Sequence, residues 1–192
     1  MSDQRIEIKN RIWWTIKSRI MAEKRFINYD WHGQFVLLYY SFIGILASAV
    51  TMVLGDHNKY SGILWLMFSV FMLCIVTFLN AMNFKQKADI MRKSYIELKK
   101  VHESTAEENI LSSEYTKVLE LYSDNHETID YRMAISESFY HKDDITKELT
   151  PEIKCAIKRY KIWKFLILSL IYILPIAIFI LSRMDILNLD KY

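Results

Sequence analysis

The sequence predicts an all-α helical membrane protein with a transmembrane hairpin, a cytosolic helical bundle and a third, C-terminal transmembrane helix. Three observations predict this fold class. Residues 35–54 and 62–84 carry no charged side chain, and only seven residues separate them. A further uncharged stretch covers residues 165–182. Residues 63–150 contain neither glycine nor proline, which favours long helices over a sheet.

The uncharged stretches have the length of membrane spans. An α-helix rises about 1.5 Å per residue, so about 20 residues cross the ~30 Å hydrocarbon layer. The backbone must satisfy its own hydrogen bonds inside lipid, which makes each span helical. We therefore expect a hairpin over residues 35–84, with spans 35–54 and 62–84. A third span follows at residues 163–182, with a short tail at 183–192.

The segment 1–34 is predicted to form a basic amphipathic helix, because it holds seven Lys and Arg against four Asp and Glu. Ile16, Ile20 and Ile27 lie near one stripe with Trp13, and the basic residues lie mostly off it. Such a helix lies on an anionic membrane surface or packs on other helices. Its two tryptophans could instead stack on nucleic acid, which the stripe makes the less favoured alternative. The predicted membrane-surface or partner-binding residues are Arg11, Trp13, Trp14, Lys17, Arg19, Lys24 and Arg25.

Small and polar residues mark one face of the hairpin. Small side chains let another helix approach closely, and they can also form the wall of a pore. An amide is costly in hydrocarbon, so Asn80 should face protein or water. Helix packing and a pore wall therefore both remain open. The residues of this predicted face are Ser41, Gly44, Ser48 and Thr51 in the first span, and Thr77 and Asn80 in the second.

Residues 85–162 are predicted to form a cytosolic helical region, with fourteen basic and fifteen acidic side chains. The second span is expected to continue into it. Ser104 and Glu107 have the spacing of a capping box, after which Leu111, Tyr115, Val118 and Tyr122 would form a seam against another helix. Thr150 and Pro151 have the pattern of an N-cap and a first helical residue, which predicts a new helix there.

The segment from Asn125 to Tyr131 brings His126 and Asp130 within one helical turn. The two side chains could pair with each other or supply two ligands to a metal ion, but two ligands do not make a site. A buried polar contact that holds two helices together is the favoured interpretation. The residues of this cytosolic motif are Asn125, His126, Asp130 and Tyr131.

Basic residues flank each span on the side that is expected to be cytosolic. This asymmetry predicts that the N-terminus and residues 85–162 lie in the cytosol, and that the C-terminus lies outside. No phosphate-binding loop, nucleophile elbow, zinc spacing or dinucleotide fingerprint appears in the sequence. The stretches 35–54, 62–84 and 165–182 carry no charged residue, which disfavours an ion-coupled carrier. We therefore expect a protein that is not an enzyme and that uses no cofactor or metal.

The order of these segments resembles a known family. The basic helix at residues 11–26 (RIWWTIKSRIMAEKRF), the tight hairpin, the charged helix at 94–101 (SYIELKKV) and the segment 125–131 (NHETIDY) are similar to the SLATT family. These are bacterial two-transmembrane effector domains of conflict systems. The additional C-terminal span resembles the subfamily found beside reverse transcriptases in anti-phage defence.

The resemblance implies an oligomeric pore-forming or membrane-disrupting effector that kills or arrests an infected cell. It implies a location in the bacterial inner membrane and a trigger supplied by a cytosolic partner or signal, such as a reverse transcriptase or nucleotidyltransferase system. Three spans cannot enclose a water path, so a pore requires several copies. The alternative is a non-conducting membrane anchor or scaffold for a nucleic-acid-bearing partner. Direct contact of this chain with nucleic acid is not favoured.

Overall fold

The fold was described from a computed structural model, which describes residues 3–54, 61–122, 126–141 and 147–183. The all-α fold class is confirmed, because every regular element in these ranges is a helix. Three of the helical stretches are long and apolar enough to cross a membrane. The helices are α1 (Asp3–Leu54), α2 (Ser61–Met82), α3 (Phe84–Glu103), α4 (Glu108–Leu121), α5 (Thr128–His141) and α6 (Pro151–Arg183).

The chain divides into two compact units. One unit, here called the polar unit, comprises Met1–Asp30 and Phe84–Ile162. The other, the apolar unit, comprises Trp31–Asn83 and Trp163–Tyr192. Each unit therefore collects two segments that are distant in sequence. The separate N-terminal helix and first span that the sequence suggests are one helix, α1, whose residues contribute to both units.

Helix α1 is the centre of the polar unit. On one side Ile12 and Ile16 pack with Leu98 of α3 and Leu111 of α4. On another side Trp14 packs with Ile135 of α5 and with Leu149. Because apolar neighbours cover more than one face, α1 buries more of its circumference than a surface helix with a single stripe does. The predicted α4 seam is confirmed for Leu111, Tyr115 and Val118, which all pack in this core.

The helix ends show where the sequence signals work and where they fail. Thr150 caps α6 as predicted, since its hydroxyl accepts a hydrogen bond from the Ile153 amide at 3.4 Å. The predicted capping box before α4 is wrong. Ser104 instead accepts a hydrogen bond from the Ala106 amide at 3.1 Å, and Glu107 at the N-cap makes no side-chain cap bond.

The predicted continuation of the second span is interrupted. Asn83 separates α2 from α3 with a φ of 46°, in the left-handed region. Asparagine enters this region more readily than most side chains, because its short amide can bond locally. Helical structure therefore continues from the second span into α3, with a break at Asn83.

In the apolar unit, α1, α2 and α6 share a core built on Val36, Tyr40 and Phe68. The rings of Tyr40 and Phe68 stack with 5.8 Å between centroids and 2° between planes. The Tyr40 hydroxyl also donates a hydrogen bond of 2.8 Å to the carbonyl of Ile171. Pro175 lies four residues after Ile171 inside α6 and has no N–H to offer that carbonyl. Tyr40 therefore supplies the donor that the helix backbone lacks.

Candidate functional site

The hydroxyl groups of the predicted small-residue face are exposed on the single chain. Ser41 and Ser48 on α1, and Thr77 on α2, point away from the core of the apolar unit. Each hydroxyl donates a hydrogen bond of 2.8–2.9 Å to the carbonyl four residues earlier in its own helix. Ser69, which the sequence analysis did not single out, does the same. These groups are already satisfied, so the hydroxyls alone do not require a water-filled path.

Asn80 differs from these residues. Its side chain is exposed near the end of α2, and within the described ranges the side-chain amide makes no hydrogen bond. An amide in hydrocarbon needs partners, because an unpaired polar group costs free energy there. Asn80 is therefore the residue of this face whose chemistry calls for water or another protein surface.

Gly44 packs inside the apolar unit. A methyl group placed on its Cα would lie 3.9 Å from the Cε1 atom of Phe68, which is an ordinary van der Waals contact. This contact joins the first span to the second within one chain and favours the helix-packing interpretation for Gly44. The side chain of Thr51, the remaining member of the predicted face, lies outside the described residues.

The contact between Gly44 and Phe68 predicts that the loss of stability grows with the size of the side chain placed at position 44. Gly44→Ala should be tolerated, because its Cβ fits beside Phe68. Gly44→Leu should destabilise the apolar unit by about 1–3 kcal/mol through overpacking. Unfolding of the purified protein in detergent, followed by circular dichroism, measures both. Leu170→Ala on the exposed face of α6 is the control and should change little. Equal stability of the alanine and leucine variants would contradict the contact.

The polar unit contains a buried ion cluster. The guanidinium of Arg25 on α1 donates two hydrogen bonds, of 2.8 and 2.9 Å, to the two carboxylate oxygens of Asp130 on α5. It donates a third, of 2.8 Å, to Glu127. The side chains of Arg25 and Asp130 are 6% and 0% exposed. Burial lowers the pKa of Arg25, but the hydrogen bond and charge of Asp130, together with the charge of Glu127, raise it above its ordinary value.

Asp130 also caps the start of α5. Its carboxylate accepts a hydrogen bond of 2.8 Å from the Glu127 amide, as the acidic residue of a capping box does. One side chain thus starts a helix and fixes that helix to α1. A buried polar contact between two helices is present, and Asp130 of α5 forms it with Arg25 of α1. Asn125 lies outside the described residues.

Two of the predicted surface arginines lie inside the unit. Arg19 and Arg25 are 1% and 8% exposed, so their placement on a membrane or partner surface is wrong. Arg25 is buried because it has carboxylate partners. Within the described ranges, Arg19 donates one long hydrogen bond, of 3.5 Å, to the carbonyl of Tyr122. Burial lowers the pKa of Arg19, against a smaller raising effect of Tyr115 and Tyr122.

The other residues of the predicted basic surface are spread around α1. Arg11 and Lys24 are exposed and pair with Glu7 at 3.5 Å and Glu137 at 2.7 Å. Lys17 lies 5.1 Å from the centre of the Trp13 ring. Trp14 is buried in the core, where it cannot offer a free face to a base.

His126 and Tyr131 of the predicted motif lie in the wall of a cavity of about 400 Å³ in the polar unit. Lys147, which the sequence analysis did not single out, also lines it and donates a hydrogen bond to the Tyr131 hydroxyl. Burial and the charge of Arg19 both lower the pKa of His126, against the raising charge of Asp130. Across the described ranges no three His, Cys, Asp or Glu side chains come together as a metal site.

Comparison with known proteins adds one family. Residues 1–181 match the family described as SMODS and SLOG-associating 2TM effector domain family 5. The match therefore includes the hairpin, the polar unit and nearly all of α6. Searches of curated proteins and of solved structures found no significant match.

Proposed function

Since the chain belongs to the SMODS and SLOG-associating 2TM effector domain family 5, we propose that it is an oligomeric effector of bacterial anti-phage defence. Several copies assemble in the inner membrane and open a pore or lesion when a cytosolic partner or signal reaches the polar unit. The loss of the membrane barrier then arrests or kills the infected cell. The role requires no catalytic step by this chain.

Asn80 carries the proposal. A single chain leaves its amide on the outside of a helix that is apolar enough to span a membrane. Lipid offers that amide no hydrogen bond, whereas a second copy or a water-filled lumen does. The exposed hydroxyls of Ser41, Ser48 and Thr77 add polarity without adding unsatisfied donors. Assembly of several copies around Asn80 therefore supplies what the single chain lacks.

The proposed orientation places the polar unit and the N-terminus in the cytosol and the C-terminus outside. The distribution of charge supports it, because the two segments of the polar unit hold nearly all basic residues and flank the spans. A reverse transcriptase or nucleotidyltransferase system is the proposed source of the trigger. Nucleic acid is a less favoured direct ligand, because the core encloses Trp14 and the ion cluster takes up Arg25.

The second candidate function is a non-conducting anchor that holds a nucleic-acid-bearing partner at the bilayer. The contact between Gly44 and Phe68 favours it, because this small residue serves packing within one chain. The hydrogen bonds from Ser41 and Ser48 to their own helix favour it as well. An anchor gives no role to the exposed amide of Asn80, and for that reason we favour the pore.

Leakage from liposomes separates the two functions. A high protein-to-lipid ratio favours assembly by mass action even without the trigger, so the wild-type protein should release a trapped dye more than linearly with protein density. Asn80→Asp should insert and shift the conductance toward cations, because a ring of carboxylates attracts them. Asn80→Leu should reduce leakage, since it removes the polar group at which copies meet.

Leu170→Ala provides the control for these variants, because it shortens an exposed apolar side chain of α6 and removes no polar group, and it should leak like wild type. Insertion is verified for every variant by flotation with the liposomes. Intact liposomes at all protein densities, with insertion verified, would overturn the pore and leave the anchor.

A further inference from the structure

The cavity in the polar unit is lined from three parts of the chain. Asn10, Arg11, Trp14 and Ser18 come from successive turns of α1, and His126, Tyr131 and Lys147 complete the lining. Its volume of about 400 Å³ lies within the range of about 300–1,000 Å³ that small-molecule sites occupy. Neither the proposed lesion in the membrane nor the ion cluster at Arg25 uses this cavity.

The charges around the cavity favour an anion. Arg11 and Lys147 bring two permanent cations to its wall. Among the described residues that line it, Glu7 carries the single carboxylate, and it pairs with Arg11 at 3.5 Å, where both side chains are more than half exposed. An exposed pair of this kind is weak, so Arg11 can turn to a stronger partner. Lys147 is exposed, and its Nζ atom lies 5.4 Å from the centre of the Trp14 ring and donates a hydrogen bond to the Tyr131 hydroxyl.

Arg19 adds a buried cation behind this wall. It follows Ser18 in the chain, and its charge adds to the effect of burial in lowering the pKa of His126. Its Nε and Nη1 atoms are buried and find no hydrogen-bond partner in the part of the chain that the structure describes. A buried guanidinium without a carboxylate costs free energy that an anion nearby would offset. Arg25, on the same helix, shows the contrasting case of full pairing.

We propose that this cavity binds a small organic phosphate. Arg11 and Lys147 contact the phosphate directly, as charge-assisted donors, and the buried charge of Arg19 strengthens the positive field in which it binds. Asn10 and the imidazole of His126 supply uncharged polar contacts. A bare phosphate ion would leave most of the volume empty. The organic part of the ligand therefore fills the space beside the edge of Trp14. The rings of Trp14 and Tyr131 form the apolar wall of that space.

Binding is tested with the full chain in detergent by titration calorimetry. The probes are adenosine 5′-monophosphate, inorganic phosphate and adenosine, at matched ionic strength. The monophosphate should bind more tightly than inorganic phosphate, and adenosine should not bind measurably. Lys147→Met should weaken binding of the monophosphate at least tenfold, because it removes a direct cationic contact. Lys154→Met is the matched control, an exposed lysine of α6 outside the cavity, and should leave the affinity unchanged.

Arg19→Met separates a ligand-binding role from a structural one. If Arg19 contributes to the field of the site, the variant should lose affinity while its midpoint of thermal unfolding without ligand stays equal or rises. A lower midpoint with unchanged affinity would show a structural arginine and remove Arg19 from the proposal. Equal binding of adenosine and its monophosphate would overturn the anion site. Equal affinity for inorganic phosphate and for the monophosphate would overturn the organic ligand. A loss of affinity in Lys154→Met equal to that in Lys147→Met would overturn a specific site.

Discussion

Asp130→Ala is expected to destabilise the polar unit by about 3–5 kcal/mol, because it leaves the guanidinium of Arg25 buried without its carboxylate partner. The variant also removes the bond to the Glu127 amide at the start of α5. Both losses act on one helix, so α5 should detach from α1. Denaturant unfolding followed by circular dichroism should show an early transition that the wild-type protein lacks.

Glu137→Ala is the matched control for this loss. It removes the carboxylate that pairs with Lys24 between the same two helices, but this pair is partly exposed. Such a pair contributes about 0–1 kcal/mol, so the control should unfold nearly as wild type does. The double variant Arg25→Met with Asp130→Leu should regain much of the stability, because it removes both buried charges together. An Asp130→Ala protein as stable as the control would contradict the role of the cluster.

Tyr40→Phe is the second substitution with a large expected effect. It leaves the carbonyl of Ile171 without a donor, since Pro175 cannot supply the helical one. A buried acceptor left unpaired costs about 1–3 kcal/mol, and lipid offers no water to replace the lost donor. Unfolding of the apolar unit by titration of a denaturing detergent measures this cost.

A double-mutant cycle with Pro175→Ala tests the cause. Alanine restores an N–H at position 175, which can bond the carbonyl of Ile171 within α6. Tyr40→Phe should therefore cost less in the Pro175→Ala background. Tyr39→Phe is the matched control, because the Tyr172 carbonyl that Tyr39 contacts lies four residues before Ile176, which has its own N–H. Equal costs for both tyrosines in the wild-type background would contradict this account.

Local sequence signals were sufficient for the three apolar helical stretches, for the start of α6 and for the packed face of α4. Uncharged runs of membrane length, the Thr150 and Pro151 pair, and the apolar spacing in α4 each depend on residues that are neighbours in the chain. The failed capping box at Ser104 and the break at Asn83 have local causes as well. The Ser104 hydroxyl accepts a hydrogen bond from the nearer amide of Ala106, and Asn83 adopts the left-handed conformation that its short side chain permits.

Local sequence signals could not predict the contacts inside the polar unit. A stripe on α1 predicts one buried face, but α1 is packed on several sides by helices that follow about 70–130 residues later. Arg25 and Asp130 are 105 residues apart, and nothing near either residue points to the other. The orphan carbonyl at Ile171 follows from Pro175 alone, whereas its donor, Tyr40, is known only from the fold.

The division of the polar unit into two segments also sets the order of events during synthesis. Ribosomes add about 5–20 residues per second, so Asp130 follows Arg25 by roughly 5–20 s. Both hairpin spans leave the ribosome within that interval, because they lie between the two segments. During this interval the N-terminal part of α1 has apolar and basic residues without their packing partners. The hairpin therefore meets the insertion machinery before the polar unit can fold. Chaperones that hold amphipathic segments are expected to bind this chain at that stage.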